Sequence, residues 1–323
     1  MSRRVVATAE LVKAYVALFV NRTAYTVQST RPDPQSGRHY YYRPKEKGSG
    51  APVRLNDQTI SAHLEGRLTI GLYAINPSNQ RCKWVAIDAD YKNAMDDLIK
   101  LQYQLTTDHV DSALEMSRRG GHLWMFLAAP LLARQCRIYI YDLAGRLGVP
   151  VKGTPLADGI EVFPKHDSIA AGAFGNAIRG PLGIHRGAGR RFWFYGADYT
   201  LEAQIEYLKR LKKVSEEKLL GFTAGKDLPA EIRQSASRAR QVHEQDALSK
   251  PKFCILDYVG KTRIVGKNYV TRCPSCAQAG HDRGGDNLAI LVSDPRFYLC
   301  WAGCSKDMIR AAIGHPIPVR QTA

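Results

Sequence analysis

Two acidic residues that follow a short apolar run are the first candidates for chemistry. Asp88 and Asp90 end the segment Trp-Val-Ala-Ile-Asp-Ala-Asp at residues 84–90, and residues two apart on a strand point to the same side. Adjacent carboxylates repel each other unless a cation lies between them, so the pair indicates a Mg²⁺ or Mn²⁺ site. Two solvated acids in a turn are the alternative.

A turn rich in arginine and glycine leads into His122 and forms the second candidate. Glycine lets the backbone approach a phosphate closely, arginine supplies paired donors, and histidine offers one more donor to a triphosphate oxygen. The other members of the turn are Ser117, Arg118, Arg119 and Gly121. An ordinary hairpin turn with a surface histidine is the alternative.

Glu161 is the third candidate, because it lies among apolar neighbours on a predicted strand. A buried carboxylate is costly unless it is paired or coordinates a metal, whereas a Glu at a strand edge facing water would need neither. A Gly-rich segment with Arg179 follows. Residues 179–213 contain 8 Lys or Arg and 3 acidic residues, an excess that suits a path for phosphates.

The cysteines indicate a separate metal site near the C-terminus. Two tight pairs, with a β-hairpin pattern between them, would bring four thiolates into one tetrahedral Zn²⁺ shell: Cys273, Cys276, Cys300 and Cys304. His281 could replace one thiolate, but it is more simply a loop residue. The other cysteines lack partners at ligand spacing and are predicted to be buried or incidental thiols: Cys82, Cys136 and Cys254.

Strands and helices that interleave must position these residues. Helical spacing of apolar residues predicts helices at Ala9–Phe19, 95–106, 132–147 and after a Thr200 N-cap. Strands are predicted at 39–43, 68–75, 84–88, 112–116, 122–127 and 160–163. The pattern indicates an α/β (α+β) fold. We expect a main domain at 1–213, a basic helical connector at 214–252 and a metal-binding module at 253–323.

The charge of the chain restricts its partners. The sequence has 46 Lys and Arg against 30 Asp and Glu, a formal charge of +16, which favours nucleic acid as a partner. No signal peptide is recognised, and no apolar run reaches the roughly 18 residues of a membrane span. We therefore predict a cytoplasmic protein without a membrane partner, in which cysteines serve metal before disulfides.

Three segments in combination resemble the archaeo-eukaryotic primase superfamily, and more closely its primase-polymerases of mobile elements and CRISPR-associated loci. They are GGHLWMF at 120–126, IEVFPK at 160–165 and GNAIRGPLGIHRGAGRR at 175–191, within a similarity that covers residues 69–195. The resemblance implies a mixed-sheet primase-polymerase catalytic core with an RRM-like subdomain. The cysteine-containing segments 273–290 and 297–304, together with the helical segment 305–314, are similar to the zinc ribbon of bacterial and phage primases.

The resemblance also implies roles for the candidate residues. Asp88, Asp90 and Glu161 would bind two Mg²⁺ or Mn²⁺ ions, and His122 with the turn before it would hold an incoming NTP or dNTP. Contacts to nucleotide or template phosphates are implied for Lys165, Arg179, His185 and Arg186. The implied activity is that of a DNA primase and polymerase on a single-stranded DNA template, in a bacterial, plasmid or phage context.

Three further readings bear on function. A noncatalytic zinc-ribbon protein that only binds nucleic acid would explain the charge and the cysteines, but it would give the three acids no function. A metal-dependent nuclease would leave the triphosphate turn idle. A helicase is disfavoured because Gly260-Lys261-Thr262 lacks the earlier glycine of a phosphate loop, so a helicase or single-strand-binding protein would come from another chain.

The basic and aromatic patch Arg38–Arg43 could stack template bases, or be an alternating strand.

Overall fold

The computed structural model describes residues 6–34, 36–46, 48–153, 156–232 and 253–317. The chain divides into two compact units, Met1–Ser237 and Arg238–Ala323. Within the described ranges, no helix is long and apolar enough to cross a membrane. Residues 233–252, which belong to the expected connector, lie outside the described part of the chain.

The first unit interleaves strands and helices. In chain order its elements are α1 (Ala9–Phe19), β1 (Tyr25–Gln28), β2 (Tyr41–Tyr42), α2 (Asp57–Leu64), β3 (Ile70–Tyr73), β4 (Arg81–Ala89), α3 (Ala94–Thr107), β5 (Ser112–Met116), β6 (Gly121–Leu132), α4 (Ala133–Leu147), β7 (Glu161–Phe163), β8 (Ala177–Arg179), β9 (Ile184–His185), β10 (Arg190–Arg191), α5 (Leu201–Arg210) and α6 (Glu216–Thr223).

Two four-stranded antiparallel sheets and a two-stranded sheet of β9 and β10 form this unit. The first sheet has the strand order β5-β6-β4-β7, and with α3 and α4 it follows the chain order β-α-β-β-α-β of RRM-like folds. The second sheet has the order β2-β1-β3-β8. The mixed α/β class and the RRM-like subdomain are therefore confirmed. The described strand pairs are antiparallel, and only isolated bridges, such as Val151 with Ile160, are parallel.

Strand β4 shows why the candidate acids point where they do. Successive residues of a strand face opposite sides: Val85 and Ile87 belong to the core formed with α3 and α4. Trp84 and Ala86 belong to the core that the two sheets share with α1, α2 and α5. Asp88 has the parity of Trp84 and Ala86, so it points toward the second sheet.

Aromatic residues pack α1 against the first sheet. Trp84 and Trp124 lie side by side with ring centroids 4.9 Å apart, and the indole N–H of Trp84 donates to the carbonyl of Phe19 at 2.8 Å. Phe19 also packs edge-on against Trp124. Large aromatic side chains bury much apolar area, and a satisfied indole N–H removes the cost of burying it. These contacts therefore fix α1 on the first sheet.

His63 is a buried histidine of α2 that we expect to make stability depend on pH. Its Nε2 lies 2.9 Å from the carbonyl of Pro181, and its Nδ1 accepts from the backbone N–H of Ile70. Burial lowers the pKa of His63 to about 3, against about 6.5 in an unfolded chain. Unfolding therefore takes up a proton below about pH 6.5, and stability is lost as the pH falls.

Between pH 7 and pH 5 this linkage should cost the folded protein about 2 kcal/mol. We expect urea unfolding to show a smaller loss over this range for His63→Gln than for the parent, because glutamine does not titrate. The amide can still donate to the carbonyl of Pro181. Equal pH dependence in the two proteins would contradict a buried neutral His63.

The segment after α5 packs on the first unit. Leu219, Leu228 and Ile232 are buried in the core of α3 and α4, and Phe222 stacks on Tyr139 with ring centroids 4.6 Å apart. Residues 214–232, expected as the start of a solvated connector, thus contribute to this core. Their apolar residues are too widely spaced to form a clear helical stripe in the sequence.

The second unit is a small antiparallel sheet with short helices. Its elements are a 3₁₀ turn (Ile255–Asp257), β11 (Arg263–Val265), β12 (Asn268–Thr271), α7 (Pro274–Gln278), β13 (Leu288–Leu291), β14 (Tyr298–Cys300) and α8 (Lys306–Ala312). The strands follow one another in the order β11-β12-β13-β14. The small core joins the cysteines to a few apolar residues: Ile255, Leu288, Ile290, Tyr298 and Ile309.

Candidate active site

Four polar residues form one row across the first sheet. The strand register pairs Glu115 with His122, His122 with Asp88, and Asp88 with Glu161. Paired residues on neighbouring strands point to the same face. The next row on that face is apolar and belongs to the core between the sheets: Ala113, Trp124, Ala86 and Phe163. The polar row therefore begins where this core ends.

Asp88 and Asp90 lie at the end of β4, as the sequence predicts. The Oδ1 atom of Asp88 is buried and has no hydrogen-bond partner among the described residues, although His122 Nε2 lies 3.4 Å away. Asp90 Oδ2 forms an ion pair with Arg119 at 2.6 Å, and Asp90 Oδ1 accepts from the hydroxyl of Ser117 at 3.3 Å. The side chain of Asp88 is thus the least satisfied of the acids.

Glu161 begins β7 beside Asp88. Its two carboxylate oxygens contact Lys152 at 2.7 Å and Lys165 at 2.6 Å. Burial would raise the pKa of Glu161, but the two lysines outweigh burial and lower it. Glu161 is therefore ionised at neutral pH, which is the state that a metal ligand requires.

The three acids supply the donor type of a divalent-cation site, although no choice of one oxygen from each brings all three within 4.8 Å of one another in the described structure. Asp88, Asp90 and Glu161 line one cavity of about 360 Å³, and carboxylate oxygens are the ligands that Mg²⁺ and Mn²⁺ prefer. A buried carboxylate oxygen without a hydrogen bond, such as Oδ1 of Asp88, is costly and would gain from a cation.

His122 lies between two carboxylates. Its Nδ1 is 3.1 Å from Glu115 Oε2, and its Nε2 is 3.4 Å from Asp88 Oδ1. Burial alone would lower the pKa of His122, but the contacts with Asp88 and Glu115 outweigh it and raise the pKa to about 9. The imidazole is therefore cationic at neutral pH and has a donor on each nitrogen.

The turn before His122 depends on a close backbone approach. The hydroxyl of Ser117 accepts from the N–H of Gly120 at 3.2 Å, and the N–H of Ser117 donates to the carbonyl of Gly120 at 2.8 Å. A Cβ atom at Gly120 would lie 1.9 Å from the carbonyl oxygen of Ala89. The turn therefore packs directly against the backbone between Asp88 and Asp90.

Substituting Gly120 should test this packing. We expect Gly120→Ala to lower the free energy of unfolding by about 1–3 kcal/mol, because the new methyl group overpacks the Ala89 carbonyl. The matched control is Gly145→Ala in α4, where a Cβ meets nothing within 4 Å. There we expect stability to rise by about 0.5–1 kcal/mol, because alanine favours a helix. Urea unfolding should give opposite signs, and two equal effects would contradict the close approach.

A groove of about 830 Å³ runs from the acids to the second sheet. Every predicted nucleotide-binding residue except Gly121 lines it: Ser117, Arg118, Arg119, His122, Lys165, Arg179, His185 and Arg186. Gly121 lies behind the turn, where a Cβ would be 2.8 Å from the carbonyl of Glu115. Arg38, His39 and Tyr41 of the aromatic patch line the same groove.

The basic residues of the groove differ in the contacts that they already make within the protein. Arg179 is buried, and its guanidinium donates to Glu115. Arg186 donates to the backbone carbonyl of Gly66 at 3.1 Å, so part of its donor capacity supports the fold. His185 Nδ1 accepts from the N–H of Ala188, and its pKa is lowered by burial and by nearby Arg179.

Sequence reasoning missed two members of the site. Glu115 was available from the argument used for Glu161, since it is also an acid among apolar residues of a strand. Lys152 carries no local signal, because the bridge between Val151 and Ile160 brings it to Glu161.

The predicted cysteine site forms in the second unit. Among the described residues, the four cysteines are the one group of at least three Cys, His or acidic ligands whose atoms all lie within 4.8 Å of one another. Cys276 Sγ lies 3.5 Å from Cys300 Sγ and 3.3 Å from Cys304 Sγ, near the roughly 3.8 Å of a tetrahedral zinc–thiolate shell. His281 is exposed and outside the cluster.

A buried carboxylate accepts hydrogen bonds from the backbone next to the cysteine cluster. Asp282 is buried and accepts from the backbone N–H of Cys273 at 2.6 Å and from that of Asp286 at 3.1 Å. Such contacts orient the ligands of a metal site.

Comparison with known proteins gives a family match and several similar solved structures, including the two described below. Residues 20–222 match the model of the archaeo-eukaryotic primase domain of TOTE conflict systems. No curated protein matches the chain. The catalytic domain of primase Repb' in complex with initiator DNA is 10% identical, with a TM-score of 0.32, over 73% of this chain and 97% of that one. The polymerase domain of Mycobacterium tuberculosis Ligase D in complex with DNA is 14% identical, with a TM-score of 0.33, over 71% and 92%.

Proposed function

Because this chain belongs to the archaeo-eukaryotic primase domain family of TOTE conflict systems, we propose that it is a DNA-dependent primase-polymerase. It would synthesise primers and extend them on single-stranded DNA. The observation that carries the proposal is the row on the first sheet, which puts Asp88 between His122 and Glu161 beside a groove lined with cations. Nucleotidyl transfer needs carboxylates near the reacting phosphate and cations along the triphosphate.

Asp88, Asp90 and Glu161 would hold the two divalent cations of this reaction. When bound, Mg²⁺ or Mn²⁺ lowers the pKa of the attacking 3′ hydroxyl and neutralises charge on the leaving pyrophosphate. The rigid sheet supports the acids, since Asp88 and Glu161 are direct cross-strand partners. This keeps their oxygens in place without a cost of reorganisation.

His122 and the turn before it would bind the triphosphate of the incoming nucleotide. The cationic imidazole can donate to a phosphate oxygen, and charge-assisted hydrogen bonds are about twice as strong as neutral ones. Arg118 and Lys165 line the same groove and would contact nucleotide or template phosphates, together with His185 and the free donors of Arg186.

The second unit would bind one Zn²⁺ and assist in binding the template or the initiating nucleotide. Phe297, Leu299 and Trp301 alternate along the edge strand β14 and its flanks, and are exposed by 60%, 55% and 58%. Residues two apart on a strand share a side, and exposed aromatic rings can stack on bases. Lys306 Nζ lies 5.8 Å from the ring centroid of Phe297 and adds positive charge.

Nucleotide incorporation on a single-stranded DNA template of known sequence tests the proposal. We expect the protein with Mg²⁺ or Mn²⁺ to add only the nucleotide complementary to the template, with and without a primer. A chelator should stop the reaction. Binding of template without any incorporation under either metal would favour the noncatalytic alternative, and shortening of labelled DNA would indicate a nuclease.

A further inference from the structure

Glu115 is a fully buried carboxylate between two cations of the groove. Its Oε2 accepts from His122 Nδ1 at 3.1 Å, and its Oε1 accepts from the guanidinium of Arg179. The side chain of Glu115 has no exposed area. Both oxygens are therefore committed to residues that line the nucleotide groove, while Glu115 itself cannot touch a ligand there.

The charge of Glu115 can be buried only while His122 and Arg179 pair with it. An unpaired buried carboxylate is strongly unfavourable. Burial would raise the pKa of Glu115, but Arg179 and then His122 outweigh it and lower the pKa to about 2. Glu115 thus stays an acceptor on both oxygens.

The two partners come from different sheets. His122 belongs to β6 of the first sheet, whereas Arg179 ends β8 of the second sheet. Arg179 also donates to the carbonyl of Gly180 at 3.3 Å. One carboxylate therefore fixes the separation and the orientation of two donors across the groove.

We propose that Glu115 is a positioning residue that holds His122 and Arg179 in the geometry that receives the triphosphate. The inference rests on the proposed function, because it assigns those two cations to a nucleotide. Glu115 acts on the ligand only through them. A group that orients a histidine through its far nitrogen is a recurring device of metal and catalytic sites.

Glu115→Gln is the sharpest substitution, because it keeps the shape and removes the second acceptor. An amide offers one oxygen and one N–H₂ group, so its nitrogen would face a donor of His122 or of Arg179. The matched control is Glu206→Gln, which removes an exposed carboxylate of α5 that pairs with Lys209 and Arg210.

The experiment is calorimetric titration of the full chain with ATP and with dATP in Mg²⁺, without DNA. We expect Glu115→Gln to weaken nucleotide binding about tenfold, which is about 1.4 kcal/mol, and Glu206→Gln to leave it within twofold. In a His122→Ala background, Glu115→Gln should cost much less, because one of its two partners is already gone. Unchanged affinity, or the same tenfold loss in both backgrounds, would overturn the inference.

A second measurement does not require Glu115→Gln to fold. In the parent, the Nδ1 proton of His122 should give a downfield NMR resonance protected from exchange, identified by its loss in His122→Ala. Absence of this resonance would refute the contact with Glu115. A parent that polymerises while Glu115→Gln binds nucleotide normally would refute the positioning role alone. A parent that binds nucleotide but never incorporates it would refute only the proposed function, and one that binds none would refute both.

Discussion

Asp88→Asn should lower the rate of nucleotide incorporation at least about a thousandfold, or about 4 kcal/mol of transition-state stabilisation. The reason lies in the position of Asp88 between His122 and Glu161 and in its Oδ1 atom, which accepts no hydrogen bond from the described residues. An amide oxygen is a poor replacement for a charged metal ligand. Single-turnover incorporation on a primed template measures the effect directly.

Asp88→Asn should change the affinity for DNA only slightly, and it should not lower this affinity as it lowers the rate of incorporation. Removing one negative charge from a basic groove weakens no phosphate contact, so affinity for single-stranded DNA should stay equal or rise. Asp96→Asn, at an exposed position of α3, is the matched control and should retain parent activity. If Asp88→Asn kept more than a tenth of the parent rate, Asp88 would not be a metal ligand of the reaction.

Cys276→Ser should unfold the second unit, which is the other large effect. Cys276 Sγ lies within 3.5 Å of both Cys300 Sγ and Cys304 Sγ, so its loss opens the proposed zinc shell. The unit has only a small apolar core, and bound zinc contributes about 10 kcal/mol or more to such modules at neutral pH. Elemental analysis should find about one zinc per parent chain, and limited proteolysis should cut the variant's second unit.

Cys254→Ser provides the control within the same unit, since Cys254 lies outside the cluster. It should keep its zinc and its resistance to protease. Parent protein purified without chelator that contains no zinc would contradict the site. A Cys276→Ser variant as stable as the parent would contradict its structural importance.

Local patterns predicted the parts of the site that lie within one element. The alternation of β4 correctly placed Asp88 at its end, and the helix at Ala9–Phe19 and the N-cap at Thr200 agree with the structure. The hairpin between the cysteine pairs likewise corresponds to β13 and β14. In each case the spacing of apolar and polar residues reflects one buried face.

What depends on contacts between distant segments was not predictable. Glu115 acquires its role from Arg179, 64 residues away on another sheet, and Lys152 reaches Glu161 through a strand bridge. Helix α2 and strand β1 were also not predicted, because they are short and their apolar residues form no long period.

The alternating faces of β4 have a consequence for how the first unit unfolds. Trp84 and Ala86 are inserted into one apolar layer, while Val85 and Ile87 are inserted into the other. Neither apolar layer can unfold without removing β4 from the other layer. The two layers should therefore unfold together as one cooperative unit. The position of the acids at the end of β4 therefore depends on the stability of both layers together. Partial unfolding of one layer alone should not displace these acids.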